Sequence, residues 1–151
     1  MQLLQLFLLS AAFPSMIAAT PYCPPRAASL QQKRAILQQY IQKLYIDRDP
    51  IRAVNDHIAL DLIQHNPNAL SGRENTLQSL AFISPDTVNF TITHLGVDGD
   101  IGFVHSRFDL VGADQPSAVA DFFRFNGTCI QEHWDAIQER TENRRNPLDL
   151  W

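Results

Sequence analysis

The chain has 151 residues, a formal net charge of -4, 45% hydrophobic residues and two cysteines. A mildly acidic chain without a basic stripe is poorly suited to a phosphate backbone, so nucleic acid is not expected as a partner. Beyond the N-terminus no run is apolar enough to span a bilayer, so no stable membrane span is expected either.

Leu3 to Leu9 is almost unbroken apolar chain, followed by the small and apolar residues Ser10 to Ala19. This pattern predicts a secretory signal peptide over residues 1–19, cleaved near Thr20, and a secreted product; the plain alternative is a buried helix. Pro14 interrupts the run before it could cross about 30 Å of hydrocarbon. Residues 20–151 are the length of one domain, enough to bury roughly two-thirds of the unfolded surface in a single core. An oxidising compartment favours a bridge between Cys23 and Cys129, provided their Cα atoms come within about 7 Å. Two glycosylation sequons, at Asn89 and Asn126, fit the same compartment.

From Ala28 to Asp49, Leu30, Leu37, Tyr40, Ile41, Leu44 and Tyr45 recur at helical spacing, with Ser29 as N-cap and Pro50 where a helix should stop or restart. A second helix is expected from Ile51 to about Leu62, ended by the turn Gln64-His65-Asn66-Pro67. A third starts at Ser71, where Glu74 completes the pattern of a capping box and Leu77, Leu80 and Phe82 form the buried side. After Pro85 the period becomes two. Val88, Phe90, Ile92 and His94 share one face of a strand, and a turn at Gly96 to Gly99 leads to a strand Ile101 to Leu110 with Phe103, His105 and Arg107 on one face. Asp114 to Pro116 is a loop; Ala118 to Phe125 and Thr128 to Asp135 are strands joined by a tight Asn126-Gly127 turn. The tail from Glu139 to Trp151 is expected over the surface or an opening. Helices followed by a four-stranded meander predict an α+β domain with helices covering one face of a curved antiparallel sheet.

The glycine loop that cradles phosphates, the zinc-protease His-Glu pair and the nucleophile elbow are all missing. The histidines at 57, 65, 94, 105 and 133 form no metal motif along the sequence, although strands could bring His65, His105 and His133 together; no metal is expected. Asp121 shares a face with Val119, Phe123 and Phe125, and a carboxylate in such company needs either a partner or a chemical task. In the last strand His133 and Asp135 lie on one face, Glu132 and Trp134 on the other, and a β-bulge would decide which pair faces inward. If Asp121, His133 and Asp135 converge in an apolar pocket walled by Phe90, Phe123 and Trp134, the chemistry they suit is proton transfer on a small carbon acid, with no metal or nucleotide.

Ile63-Gln64-His65-Asn66-Pro67, Asp121-Phe122-Phe123-Arg124 and Ile130-Gln131-Glu132-His133-Trp134-Asp135-Ala136-Ile137-Gln138 resemble the SnoaL-like polyketide cyclases of the nuclear-transport-factor-2-like superfamily, and most of all their predicted aldol-condensation branch. The resemblance covers residues 20–151. It implies a cone-shaped, curved antiparallel sheet wrapped by N-terminal helices, usually a homodimer, with a cofactor-independent pocket in its mouth. It places the acid/base on Asp135, and it puts Asp121 where the cyclases carry a histidine. His65 and His105 become further lining candidates. The implied activity is a cofactor-free cyclase, isomerase or dehydratase; the alternatives are a secreted binder of a small ligand in the same pocket, or an interaction module whose pocket is filled by side chains.

Overall fold

In the computed structural model residues 21–151 are described, so the expected signal peptide at 1–19 lies outside them. Helix α1 spans Leu30–Ile41 and starts as its sequence requires: Ser29 Oγ accepts from the Gln32 N–H while the Gln32 side chain accepts from the Ser29 N–H. It runs on through a π-helical turn, Gln42–Ile46, that carries Leu44 and Tyr45 into the core. Arg48 takes a positive φ of 55°, Asp49 caps the next helix by accepting from the Arg52 N–H, and Pro50 opens α2, Pro50–His57.

Here the structure departs from the sequence-based expectation. The helix expected to run to Leu62 ends at His57, and Ile58–Gln64 is a strand, β1. Ile58 and Leu62 are both buried, and a spacing of four residues fits a helical face and one face of a strand equally well. What decides is the partner, since β1 pairs in parallel with the last strand, Ile58 opposite Ile130 and Gln64 opposite His133. The third helix, α3, spans Arg73–Ser79 behind Gly72, whose φ is 100°. The capping box expected at Ser71 does not form, because Ser71 Oγ accepts from the Gln64 N–H instead.

Strands β2 (Val88–Asp98), β3 (Ile101–Leu110), β4 (Ser117–Asn126) and β5 (Cys129–Glu139) form the expected meander. With β1 they give an α+β fold with a five-stranded mixed sheet, in the order β1-β5-β4-β3-β2, where four antiparallel strands were expected. A bulge between Ile92 and His94 breaks the alternation of β2 and leaves His94 exposed, off the face that Val88 begins. Phe103, His105 and Arg107 do share a face of β3, but it is the outer one; Gly102, Val104 and Ser106, which alternate with them, are buried.

The core lies between the inner sheet face and the helices, around Leu37, Val54, Leu62, Val104, Phe123 and Ile130. Gly102 lets α1 come close: a Cβ there would stand 3.0 Å from Leu37 and 3.1 Å from Phe125. Cys23 and Cys129 are bridged, with Cα atoms 5.0 Å apart. Beside them the Arg26 carbonyl accepts from the Thr128 N–H and Thr128 Oγ1 donates to the Tyr22 carbonyl, so the N-terminal segment straps the β4–β5 hairpin to α2. At the other end the tail is held by Arg140 and Arg144 on Asp149, and Trp151 lies under Arg107, on the outer side of the sheet.

Candidate active site

A cavity of about 280 Å³ opens between the inner sheet face and the helices. Tyr40 and Tyr45, Leu62, Phe90 and Phe123 give it apolar walls, and Asp121, His133 and Asp135 stand together among them. One backbone irregularity creates this polar group. β4 and β5 pair Phe125 with Ile130 but Arg124 with Glu132, so Gln131 is a bulged residue. Ile130 is fully buried ahead of the bulge; past it the phase inverts, which turns Glu132 and Trp134 outward and His133 and Asp135 inward. Register then sets Asp121 directly opposite Asp135, and Phe123 opposite His133.

The hydrogen bonds distinguish the two carboxylates. Asp121, buried, accepts from the Tyr45 hydroxyl at 2.8 Å on Oδ2 and faces His133 Nε2 at 3.0 Å on Oδ1. A carboxylate only accepts, so Nε2 carries the hydrogen. On the far side of the ring, Gln64 Oε1 lies 2.9 Å from His133 Nδ1, which clamps the imidazole between two strands. Asp135 has one partner among the described residues, the Asn66 amide, which donates to Oδ2 at 2.6 Å. Its Oδ1 is therefore uncommitted at the cavity wall. Burial first, and then the charge of Asp121, push the phenols of Tyr40 and Tyr45 well above the usual tyrosine range, so both remain protonated donors.

Of the residues predicted from sequence, Asp121, Phe123, His133 and Asp135 line the cavity. His65, His105 and Trp134 do not. Trp134, in the outward phase of β5, and His65, just past the end of β1, stack on each other, centroids 4.8 Å apart, with His65 Nε2 2.8 Å from Glu132 Oε1. His65 first, then Arg124, hold the Glu132 carboxyl below its usual range. His105 is on the outer side of β3, stacked on His94 at 5.6 Å. The histidine trio that strands could have gathered around a metal is therefore split between the two sheet faces. A different trio, Asp121, His133 and Asp135, has ligand-type atoms within 4.8 Å of one another, but two of its members are already hydrogen-bonded to each other.

Tyr45, Gln64 and Asn66 are the site residues that sequence reasoning missed. Gln64 and Asn66 lie either side of His65, and a strand reading of Leu62-Ile63-Gln64-His65-Asn66 would have placed 62, 64 and 66 on one face. Tyr45 carries no sequence signal beyond its place in an apolar helical stripe.

No family model and no curated protein matches the sequence. Solved structures do match its shape. An NTF2-like protein of unknown function from Mesorhizobium loti superposes with a TM-score of 0.62 at 18% identity, covering 72% of this chain and 93% of that one. A Jannaschia protein bearing the name "Putative SnoaL-like polyketide cyclase" gives 0.60 at 14% identity, over 74% and 89% of the two chains. An LEH-like epoxide hydrolase of M. tuberculosis gives 0.56 at 16% identity, over 72% and 84%. Identities this low speak to shape, and the shape agrees with the resemblance read from the sequence: the chain has the nuclear-transport-factor-2-like fold, that of the SnoaL-like proteins, with a curved, open sheet and its helices on the concave side.

Proposed function

We propose that this protein is an exported, cofactor-independent enzyme that moves a proton on a small carbonyl compound, in a cyclisation, isomerisation or dehydration. The observation that carries the proposal is the inequality of the two facing aspartates. Asp121 has both oxygens engaged, Oδ2 by Tyr45 and Oδ1 by His133, whereas Asp135 presents an Oδ1 with no partner among the described residues to the cavity. A base must keep a lone pair available and have a group that holds it in place; Asp135 has both, through Asn66. In this reading Asp135 Oδ1 takes the proton from the carbon beside the carbonyl and returns it later in the cycle. Asp121 and His133 are positioning residues that hold the polar wall. Fold mates named as a polyketide cyclase and an epoxide hydrolase lend support, since both names denote chemistry on small organic substrates. A cavity of about 280 Å³ beside the two aspartates runs against the module whose pocket is filled by side chains.

Export is supported by the Cys23–Cys129 bridge and by the exposure of both sequon asparagines, Asn89 and Asn126. The homodimer implied by the resemblance has a suitable surface in the outer sheet face, where Phe103, Phe122 and Trp134 stand side by side in register. The test is native mass spectrometry of the secreted protein after exposure to an extract of its source, with identification of whatever it retains. A carbonyl compound altered by the wild type and not by Asp135→Asn establishes the enzyme. A ligand released unchanged by both makes the protein a carrier.

A further inference from the structure

The bulge in β2 gathers three polar side chains on the outer sheet face, away from the cavity. Register jumps from Ile92 opposite Ser106 to His94 opposite His105, so Thr93 and His94 together face the single residue His105. Thr93 Oγ1 lies 3.2 Å from His94 Nδ1 and 3.2 Å from His105 Nδ1, and the two nitrogens are 3.4 Å apart. The Thr93 hydroxyl donates its own hydrogen to the His105 carbonyl at 2.9 Å, which leaves its lone pairs turned to the two rings. Hydrogen bonding does not account for this approach. A contact of 3.4 Å is too long for one nitrogen to donate to another, and 3.2 Å is at the outer limit for N–H to oxygen. A tetrahedral ion with bonds of about 2.0–2.1 Å, by contrast, holds its ligands about 3.3–3.4 Å from one another. The triangle of Thr93, His94 and His105 therefore has the size of one face of such a site.

We infer that the outer face of β2 and β3 binds one divalent transition-metal ion, copper(II) or zinc(II), through His94 Nδ1 and His105 Nδ1, with Thr93 Oγ1 as a weaker third ligand. Imidazole nitrogens select such ions over magnesium and calcium, which prefer oxygen. Both rings must then carry their hydrogen on Nε2, and neither Nε2 has a partner among the described residues that would oppose this tautomer. Access is open, since His94 is exposed and Thr93 and His105 are half-buried. Arg107, two residues along the same face of β3, is tied to Asp109 by both its Nε and its Nη2, so its charge is already paired. No metal motif marks these residues along the chain, because the pairing arises only when the bulge sets two residues of β2 against one of β3. The bound ion would pin β2, the edge strand of the sheet, to its neighbour.

Calorimetric titration of the disulfide-bonded protein at pH 7.5 with copper(II), zinc(II), magnesium and calcium tests this. Copper should bind one ion per chain with a dissociation constant below about 50 µM, zinc should bind more weakly, and magnesium and calcium should give no heat. Saturating zinc should shift the ring resonances of His94 and His105 in an NMR titration and leave those of His133 in place. His94→Gln and His105→Gln should each weaken copper binding at least about tenfold, and Thr93→Val about threefold. His94 is exposed, so His94→Gln should melt as the wild type does in the presence of EDTA, and it decides the point should His105→Gln not fold. Copper binding weaker than about 50 µM, or an affinity that survives His94→Gln, would overturn the inference. So would zinc shifting His133 in place of His94 and His105, which would put the ion among Asp121, His133 and Asp135. The site lies on the face of the sheet opposite the cavity, so neither result depends on what Asp135 does.

Discussion

His57 should make this protein acid-sensitive by an amount that its surroundings set. The residue is fully buried at the end of α2, with its ring stacked on Tyr22 at 4.7 Å and edge-on to Tyr40 at 5.7 Å. Lys43 Nζ lies 3.0 Å from its Nε2, and an ammonium can only donate, so Nε2 is the lone-pair nitrogen and the ring is neutral. Nδ1 then carries a hydrogen with no partner among the described residues. Burial first, and the Lys43 charge second, against a smaller opposing effect of Asp56, lower the imidazole pKa to about 3. The unfolded chain titrates near the ordinary value, about 6.5. Between these values the unfolded state binds the extra proton, so the contribution of His57 to stability is intact above about pH 6.5 and is lost as the pH falls toward 3. Going from pH 7 to pH 5 removes about 2 kcal/mol, from one and a half units below the unfolded pKa at about 1.4 kcal/mol each. Urea melts of the wild type and His57→Phe at the two pH values measure this as a difference of differences, which cancels the carboxylates common to both. Equal acid losses in the two proteins would refute the argument, as would an NMR titration that shows the His57 ring protonating near pH 6.

Four further outcomes follow from packing and hydrogen bonding. A Cβ on Gly127 would lie 2.0 Å from the Arg26 carbonyl oxygen at a φ of 57°, so Gly127→Ala should cost at least about 2 kcal/mol in a denaturant melt. Paired Cys23→Ser and Cys129→Ser should cost about 2–5 kcal/mol, because the bridge closes a loop with a sequence separation of 106; reducing agent should reproduce the loss in the wild type. Asp121→Ala takes the acceptor from Tyr45 and His133 together and should destabilise by about 1–3 kcal/mol, whereas Asp135→Asn, with its single partner Asn66, should change stability by less than about 1 kcal/mol while abolishing turnover. Phe122→Lys on the outer sheet face should give monomers in light scattering if that face joins two copies; an unchanged mass for a wild-type dimer would move the interface elsewhere.

Much of this architecture could be read from the chain because local signals agreed with the tertiary outcome. The Ser29 cap, the proline at Pro50 and the Asn126-Gly127 turn each act on backbone within a few residues, so their structural effect barely depends on the rest of the molecule. β1 was invisible for the opposite reason. Its backbone is satisfied by β5, some seventy residues away, and Ile58 and Leu62 are spaced in a way that does not separate the two periods.

The candidate site shows how a single residue of phase governs chemistry. Glu132, His133, Trp134 and Asp135 offer two complete alternatives, an acid and an indole or an imidazole and an acid, and alternation alone weighs them equally. The bulge at Gln131 selects between them, and Gln131 donates to both the backbone and the side chain of Asp61 on β1. The strand missed in the sequence is thus the one that accepts the bulged side chain, and it also delivers Gln64 to His133 and Asn66 to Asp135. Losing β1 in the reading hid three things at once: the clamp on the imidazole, the partner of the free carboxylate, and the outward course of His65. That shared origin has a consequence at the bench. A change that shifts β1 relative to β5, such as Asp61→Ala, should disturb the His133 ring environment as well as the Asp135 carboxylate, although neither residue touches Asp61.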